Sequence, residues 1–281
     1  MIKSIRTIMK QDKERYKVPR KVQDVIPIRR IWPDGIFQVG NKFTKMYRFT
    51  DINYLVASRE DKESMFLTYS ELLNSLDSGA TTKLTIYNHR QNRASFEKSI
   101  LMPMKEDGLD QYRKEYNQML LDKATGANGI MQEKYLTVSV ARKDVDEART
   151  YFSRIGADLS AHFAALGSKC MELTAAERLR MLHDFYRAGE ETTFDFDIKS
   201  MARKGHDIRD FICPDSIEKN KDHLILGDQY CRVLFLKDYA SYIKDSMVTE
   251  LTDLNRNMML SIDILPVSYT HLRAHETLRY L

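Results

Sequence analysis

Apolar residues alternate with polar ones in some stretches of the chain and recur every three or four positions in others, and the changes of period mark out its elements. Ile36 to Val39 and Phe43 to Phe49 flank Gly40-Asn41, a pair suited to the positive-φ positions of a two-residue turn, which predicts a hairpin. Ser58 opens a segment with Met65, Tyr69, Leu72, Leu73 and Leu76 on one helical face, and Gly79 serves as its stop. Thr82, Leu84 and Ile86 then alternate as a strand. The charged stretch from Lys105 to Lys123 predicts a helix whose apolar stripe is Leu109, Tyr112, Tyr116, Met119 and Leu120, broken at Thr125-Gly-Ala-Asn-Gly129.

The centre of the chain carries the clearest signals. Leu136, Val138 and Val140 alternate on one face of a strand, and Asp144 with Glu147 forms a capping pair for the helix that follows. Val145, Ala148, Phe152, Ile155, Leu159 and Phe163 are the stripe of that helix, and Gly167 ends it. Lys169 to Leu173 returns as a strand, and Thr174 with Glu177 caps a second helix carrying Leu179, Leu182 and Phe185. Further on, Leu224 to Leu226 and Tyr230 to Leu236 flank Gly227-Asp228 as a hairpin, Tyr239 to Leu254 is helical, and Met258 to Leu265 is a strand. The order predicts an α+β fold of ferredoxin-like βαβ units with β-hairpins. It divides into a basic arm at 1–24 and α+β platform units at 25–130 and 131–266.

With 43% hydrophobic and 30% charged residues among 281, the chain can bury a sizeable core. It has no run of eighteen apolar residues and no secretory signal. Cys170, Cys213 and Cys231 show neither disulfide-framework nor metal spacing and suit a reducing cytoplasm. A net charge of +4 is too mild to imply nucleic-acid binding. The excess is local, because eight cations against three acids give residues 1–24 a charge of +5. Ile2, Ile5, Ile8 and Met9 recur there at near-helical spacing, as a solvated terminus or as a basic amphipathic helix for an anionic surface. From Val267 onward, Ser-Tyr-Thr-His-Leu-Arg-Ala-His-Glu-Thr277 resembles a translated sequencing-library adapter. That places the end of the native sequence near Pro266, in a truncated reading frame with a foreign tail at 267–281. The i, i+4 pair His271 and His275 then carries no metal chemistry.

Several constellations bear on chemistry. Nucleotide hydrolysis by a phosphate loop needs G-x-x-x-x-G-K-[ST], whose amides cradle phosphates while Lys neutralises them. Gly35 and Gly40 have the right separation, but Asn41 and Lys42 stand at the Lys and hydroxyl positions, and Gly167-Ser-Lys169 lacks its upstream glycine. His183-Asp184, with His162, Asp195 and Asp197, is a candidate H…HD…D metal set for a phosphohydrolase, against a structural imidazole on an amphipathic helix. Glu190-Glu191 with Asp195 and Asp197 would suit a hard cation or a solvated loop. Phe211, Tyr230 and Phe235 near Arg209 and Arg232 would stack on single-stranded DNA or fill a core.

Four segments carry a resemblance. Asp24-Val-Ile-Pro-Ile-Arg-Arg-Ile-Trp-Pro-Asp-Gly-Ile-Phe37, Tyr47-Arg-Phe-Thr-Asp-Ile-Asn-Tyr54, Gln132-Glu-Lys-Tyr-Leu-Thr-Val-Ser139 and Glu177-Arg-Leu-Arg-Met-Leu-His-Asp-Phe-Tyr186 resemble the N-terminal region of the conjugal-transfer ATPases of type IV secretion systems, in the branch found on mobile elements of Gram-positive hosts. The resemblance covers roughly Tyr16 to Pro266. It implies a non-catalytic platform that precedes a RecA-like motor domain, works as an oligomer at the cytoplasmic face of the membrane, and supports transfer of a DNA–protein substrate. Its partners would be membrane components of the channel and other ATPase subunits, with no dedicated small-molecule ligand. ATP and magnesium would belong to the motor alone, leaving no catalytic, cofactor-binding or metal residue in this chain. The other function class is an autonomous metal-dependent phosphohydrolase or nuclease built on His183-Asp184.

Overall fold

Strand pairing begins at a tight turn. In the computed structural model, which describes residues 19–54, 56–77, 79–90, 101–126, 130–199, 201, 205, 207–237 and 245–264, β2 (Phe37–Val39) and β3 (Lys42–Phe49) pair antiparallel with Val39 opposite Lys42. Gly40 and Asn41 are therefore the whole turn, and only Gly40, at φ 62°, takes a positive φ. An outer strand, β1 (Ile28–Ile31), joins β2 through a register shift between Ile28 and Arg30.

The chain then runs through α1 (Arg59–Asn74), β4 (Ala80–Arg90), α2 (Asp110–Gly126), β5 (Ile130–Val140), α3 (Val145–Ala165) and β6 (Cys170–Glu172). β5 lies between β3 and β4, antiparallel to both. β6 lies on the opposite edge of β3, next to Tyr47, Arg48 and Phe49, where it continues the line that β2 begins at Lys42 to Thr44. The order β6-β3-β5-β4 makes β5-α3-β6 a split βαβ unit around β3, the arrangement of a ferredoxin-like α+β fold. Residues 25–130 and 131–266 do not separate into two units. A boundary at 130 would cut between β4 and β5, which pair along eleven positions from Ala80↔Val140 to Arg90↔Ile130.

Local capping explains where the helices start and stop. Ser58 Oγ accepts the Asp61 amide, Asp144 accepts the Asp146 and Glu147 amides, and Thr174 with Glu177 forms a complete capping box at α4 (Ala175–Tyr186). At the end of α3 the Gly167 and Ser168 amides bond Ala164 O and Phe163 O, with Gly167 at φ 79°, a Schellman stop. α1 stops before Gly79, where Ser75 turns its hydroxyl back onto Leu72 O at 2.7 Å. α2 starts at Asp110, after the sequence-predicted Lys105, because the positive φ of Glu106 and Gly108 forms a turn whose Lys105 and Glu106 amides bond Asp110.

α1 and α3 cover one face of the sheet, burying Leu72, Phe152, Ile155, Leu159 and Phe163 against Tyr47, Leu136, Val138 and Val140. Each such side chain contributes about 1.5–3 kcal/mol of burial. α4 covers the other face, with Met181 and Leu173 against Met46, Tyr87 and Tyr135. It also packs Ala175 and Leu179 on Ile28, Phe37, Ile212 and Cys213. One buried cation fastens it. Arg178 donates to Gly35 O at 2.6 Å, Thr44 O at 2.8 Å and Thr44 Oγ1 at 3.0 Å, and lies 3.9 Å over the Phe37 ring. Burial pushes its pKa down to about 9, which still leaves it charged at neutral pH.

The α2 stripe departs from its sequence reading. Leu109, Tyr112, Tyr116 and Met119 are exposed, Tyr112 by 67%, and among the described side chains of this helix the buried one is Asn117, whose amide bonds both the N–H and the carbonyl of Met102. Towards the C-terminus β7 (Ile217–Lys219), β8 (Leu224–Leu226) and β9 (Gln229–Cys231) form a separate three-stranded sheet. The strand predicted to Leu236 ends at Cys231, and the apolar run behind it stands in solvent, with Phe235 81% exposed. α5 (Asp245–Thr252) follows; the first part of the predicted helix, at 239–244, lies outside the described residues. Its last carbonyl, Thr252 O, accepts from Asn88 and Gln132, and β10 (Met258–Ile264) then pairs with β4. Among the described residues no helix is long and apolar enough to cross a membrane.

Candidate functional site

The alternation of β3, β4 and β5 sends Arg48, Tyr87, His89, Glu133 and Tyr135 to the α4 face of the sheet. There, with Asp184 of α4, they line a cleft of about 280 Å³. Glu133 is its hub. Tyr135 Oη donates to Glu133 Oε2 at 2.6 Å, Arg48 Nη1 lies 3.5 Å from Oε1, and His89 Nε2 lies 3.3 Å from Oε2, close enough for an ion pair yet off line for a hydrogen bond. His89 stacks on Tyr87 with ring centroids 4.8 Å apart.

Burial by itself would lower the His89 pKa, but the Glu133 carboxylate outweighs it, Asp184 adds to the effect, and the net shift is upward. Glu133 moves the other way: burial opposes its charge, while His89, Tyr135 and Arg48 hold its pKa below the usual carboxylate range. Each partner thus favours the charged form of the other inside the cleft. Nucleophilic chemistry has less support, since burial pushes the Cys170 and Cys213 thiols up to about 11 and keeps them protonated. The sequence reading missed this cluster because His89 and Glu133 are on different strands. Its one signal is the polar and aromatic residues at i, i+2 spacing, Tyr87 with His89 and Glu133 with Tyr135, on the face opposite the apolar alternation.

The sequence-derived metal set does not come together. His183 is 3% exposed, its Nδ1 3.2 Å from Asp184 Oδ1, its Nε2 3.4 Å from Thr193 Oγ1, and its ring edge-on to Phe194. That is the environment of a structural imidazole. His162 is half-buried on α3 and bonds Asp158 O, Asp195 and Asp197 are exposed, and no three His, Cys, Asp or Glu residues among those described converge as metal ligands. Glu190 pairs with Arg187 and Glu191 accepts the Gly189 amide. His271 and His275 lie outside the described residues.

The aromatic set divides as well. Phe211 packs edge-on to Phe196 inside the α4 side of the fold, whereas Tyr230 and Phe235 are exposed. Arg209 is held by Asp207 and Gln23 O, and Arg232 by Asp222, so each guanidinium already has a carboxylate partner. Gly35 and Gly40 belong to turns of the β1-β2-β3 meander and not to a strand–loop–helix, and Gly167 is the Schellman glycine of α3. Compared with known proteins, the chain matches no protein-family model, and no curated protein is significantly similar to it.

Proposed function

We propose that this chain is the N-terminal assembly module of a conjugal-transfer ATPase of type IV secretion systems. It would sit at the inner face of the cell membrane, contact membrane components of the channel and neighbouring ATPase subunits, and support transfer of a DNA–protein substrate. On this reading ATP hydrolysis belongs to a RecA-like motor domain outside residues 1–266. The observation that carries the proposal is the α2 stripe: four apolar side chains at helical spacing, Leu109, Tyr112, Tyr116 and Met119, turned to solvent. An exposed apolar patch of this kind marks a surface that another protein covers. The four segments that resemble the family also fall in load-carrying parts of the fold. They build the β1–β2 hairpin, the end of β3, the centre of β5, and α4 with its buried Arg178. A likeness located there suits a shared scaffold more than a shared catalytic site.

The test is made in a donor cell carrying the intact cognate system. Residues 1–266 expressed alongside it should occupy subunit positions without driving them and lower DNA transfer in proportion to dose, because each heterologous interface needs a complete neighbour. Charge reversal of Lys10, Lys13 and Lys17 should relieve the inhibition if the basic arm docks on anionic lipid. Unchanged transfer, with the fragment folded, abundant and free of any secretion component on purification, would rule the proposal out.

A further inference from the structure

We infer that the outer edge of β10 is a self-association surface, at which two copies pair antiparallel about a dyad at Ser261 and join their sheets. The two ends of the sheet differ in how they meet solvent. At one end β1 is four residues long, follows Pro27, carries Arg29 and Arg30, and is bulged against β2. Each of these features discourages a further strand from adding. At the other end β10 pairs with β4 without a break, from Met258↔Asn88 to Ile264↔Thr82, and no described strand lies on its outer side. The segment Met258–Ile264 has no proline, no lysine and no bulge. Its single charge, Asp263, is already paired with Lys83 at 3.5 Å. With no strand beside it among the described residues, an edge of this length presents a row of amides and carbonyls for strand addition.

The side chains select a second copy as the occupant. Met258, Leu260, Ile262 and Ile264 stand on the face that α1 and α3 cover, each only half-buried, while Met259, Ser261 and Asp263 stand on the other. In an antiparallel pair centred on Ser261, Met258 faces Ile264 and Leu260 faces Ile262, so the half-buried apolar residues meet one another. Asp263 faces Met259, so no like charges meet. Residues that oppose each other across the dyad also share a face, as antiparallel pairing requires. The interface is isologous and closes with two members. This contact is distinct from the heterologous subunit interfaces of the proposed function, so the inference stands beside that reading and does not rest on it. The two can fail separately, because pairing is measured on the purified chain and poisoning of transfer in a donor cell.

The experiment uses the full chain of 281 residues. Ser261 is exposed, so Ser261→Lys and Ser261→Asp leave the monomer fold intact by circular dichroism while placing like charges directly opposite at the dyad. Sedimentation should give a concentration-dependent dimer for the parent chain and a monomer for each variant. An equimolar mixture of the two variants should recover the dimer, and added salt should weaken that mixed dimer more than the parent. A parent chain that stays monomeric would overturn the inference, as would a dimer that survives both substitutions or a mixture that fails to associate. Slow exchange of the β10 amides that point away from β4, in a monomeric parent, would place another segment of the chain on this edge, which also overturns self-pairing.

Discussion

Arg178 should stabilise the fold through the two carbonyls it satisfies and not through its charge. Replacement by Ala leaves Gly35 O and Thr44 O, now 2.6 and 2.8 Å from guanidinium nitrogens, without that donor in a site water does not reach. Two orphaned acceptors cost about 4 kcal/mol together. Loss of the contact over Phe37, 3.9 Å from the ring centroid, adds up to ~2 kcal/mol, and relief of the buried charge returns several. The net loss is about 3 kcal/mol, a large part of the 5–15 kcal/mol typical of a domain. Arg178→Met keeps an unbranched stem in the space and should lose about 2 kcal/mol. Arg178→Lys retains a buried charge but reaches fewer partners without the planar stack, so it should be no better than Ala. Urea unfolding followed by circular dichroism and by Trp32, the single tryptophan, which lies in the hairpin that Arg178 holds, gives the three midpoints. A Lys variant within about 0.5 kcal/mol of the parent would refute the reasoning, because it would mean that the charge suffices.

The His89 pKa is raised in the fold, so its stabilising contribution is complete below the ordinary histidine value of about 6.5 and is lost as pH rises through the higher folded value. His89→Gln should flatten that fall in thermal midpoint on the alkaline side of 6.5; an unchanged slope would assign it to another group. Glu133, lowered by its partners, should lose its contribution only as pH drops below the usual carboxylate range, and Glu133→Gln should blunt that acid limb. Gly35→Ala should be far more damaging than Gly40→Ala. A Cβ on Gly35 would lie 1.9 Å from Leu173 O, whereas one on Gly40 meets open space and pays about 1 kcal/mol for its positive φ, so similar melting temperatures for the two variants would contradict the geometry. Elemental analysis of the purified chain should find no stoichiometric zinc, manganese or iron, and bound metal lost in His183→Ala with the fold intact would revive the phosphohydrolase reading.

Features with a local cause were legible in the sequence. Asp144, Thr174 with Glu177, and Gly167 act within one turn of their own helix, and each does what its residue type announces. The existence of β3, β4 and β5 was legible from their alternation, whereas the short strands β1 and β7 gave no such signal and strand neighbourhood gave none at all. β3, β4 and β5 alternate alike, and nothing in their residues says that β5 inserts between the other two, so a boundary at 130 falls through the middle of the sheet. The α2 stripe carries a related lesson. Periodicity identifies an apolar face and is silent on what lies against it, and here Tyr112 and Tyr116 face solvent. The His89–Glu133 cleft was hidden because it depends on register between strands, while of the two readings open for His183 its Phe194 and Thr193 contacts favour the structural imidazole.

The order in which a ribosome delivers these elements differs from their order in space. Asn88 of β4 donates to Thr252 O, a contact between residues 164 apart in sequence, and β10 seals the same stretch of β4 only after that. At 5–20 residues per second, roughly 8 to 30 s of synthesis separate the two partners. For all that time β4 can be matched on its β5 side alone, with Ile86 and Asn88 waiting for the last strand. A nascent chain of this protein should therefore engage holding chaperones until Met258–Ile264 emerges, and a stop codon placed just before Met258 should produce aggregate, although it removes none of α1, α3 or α4.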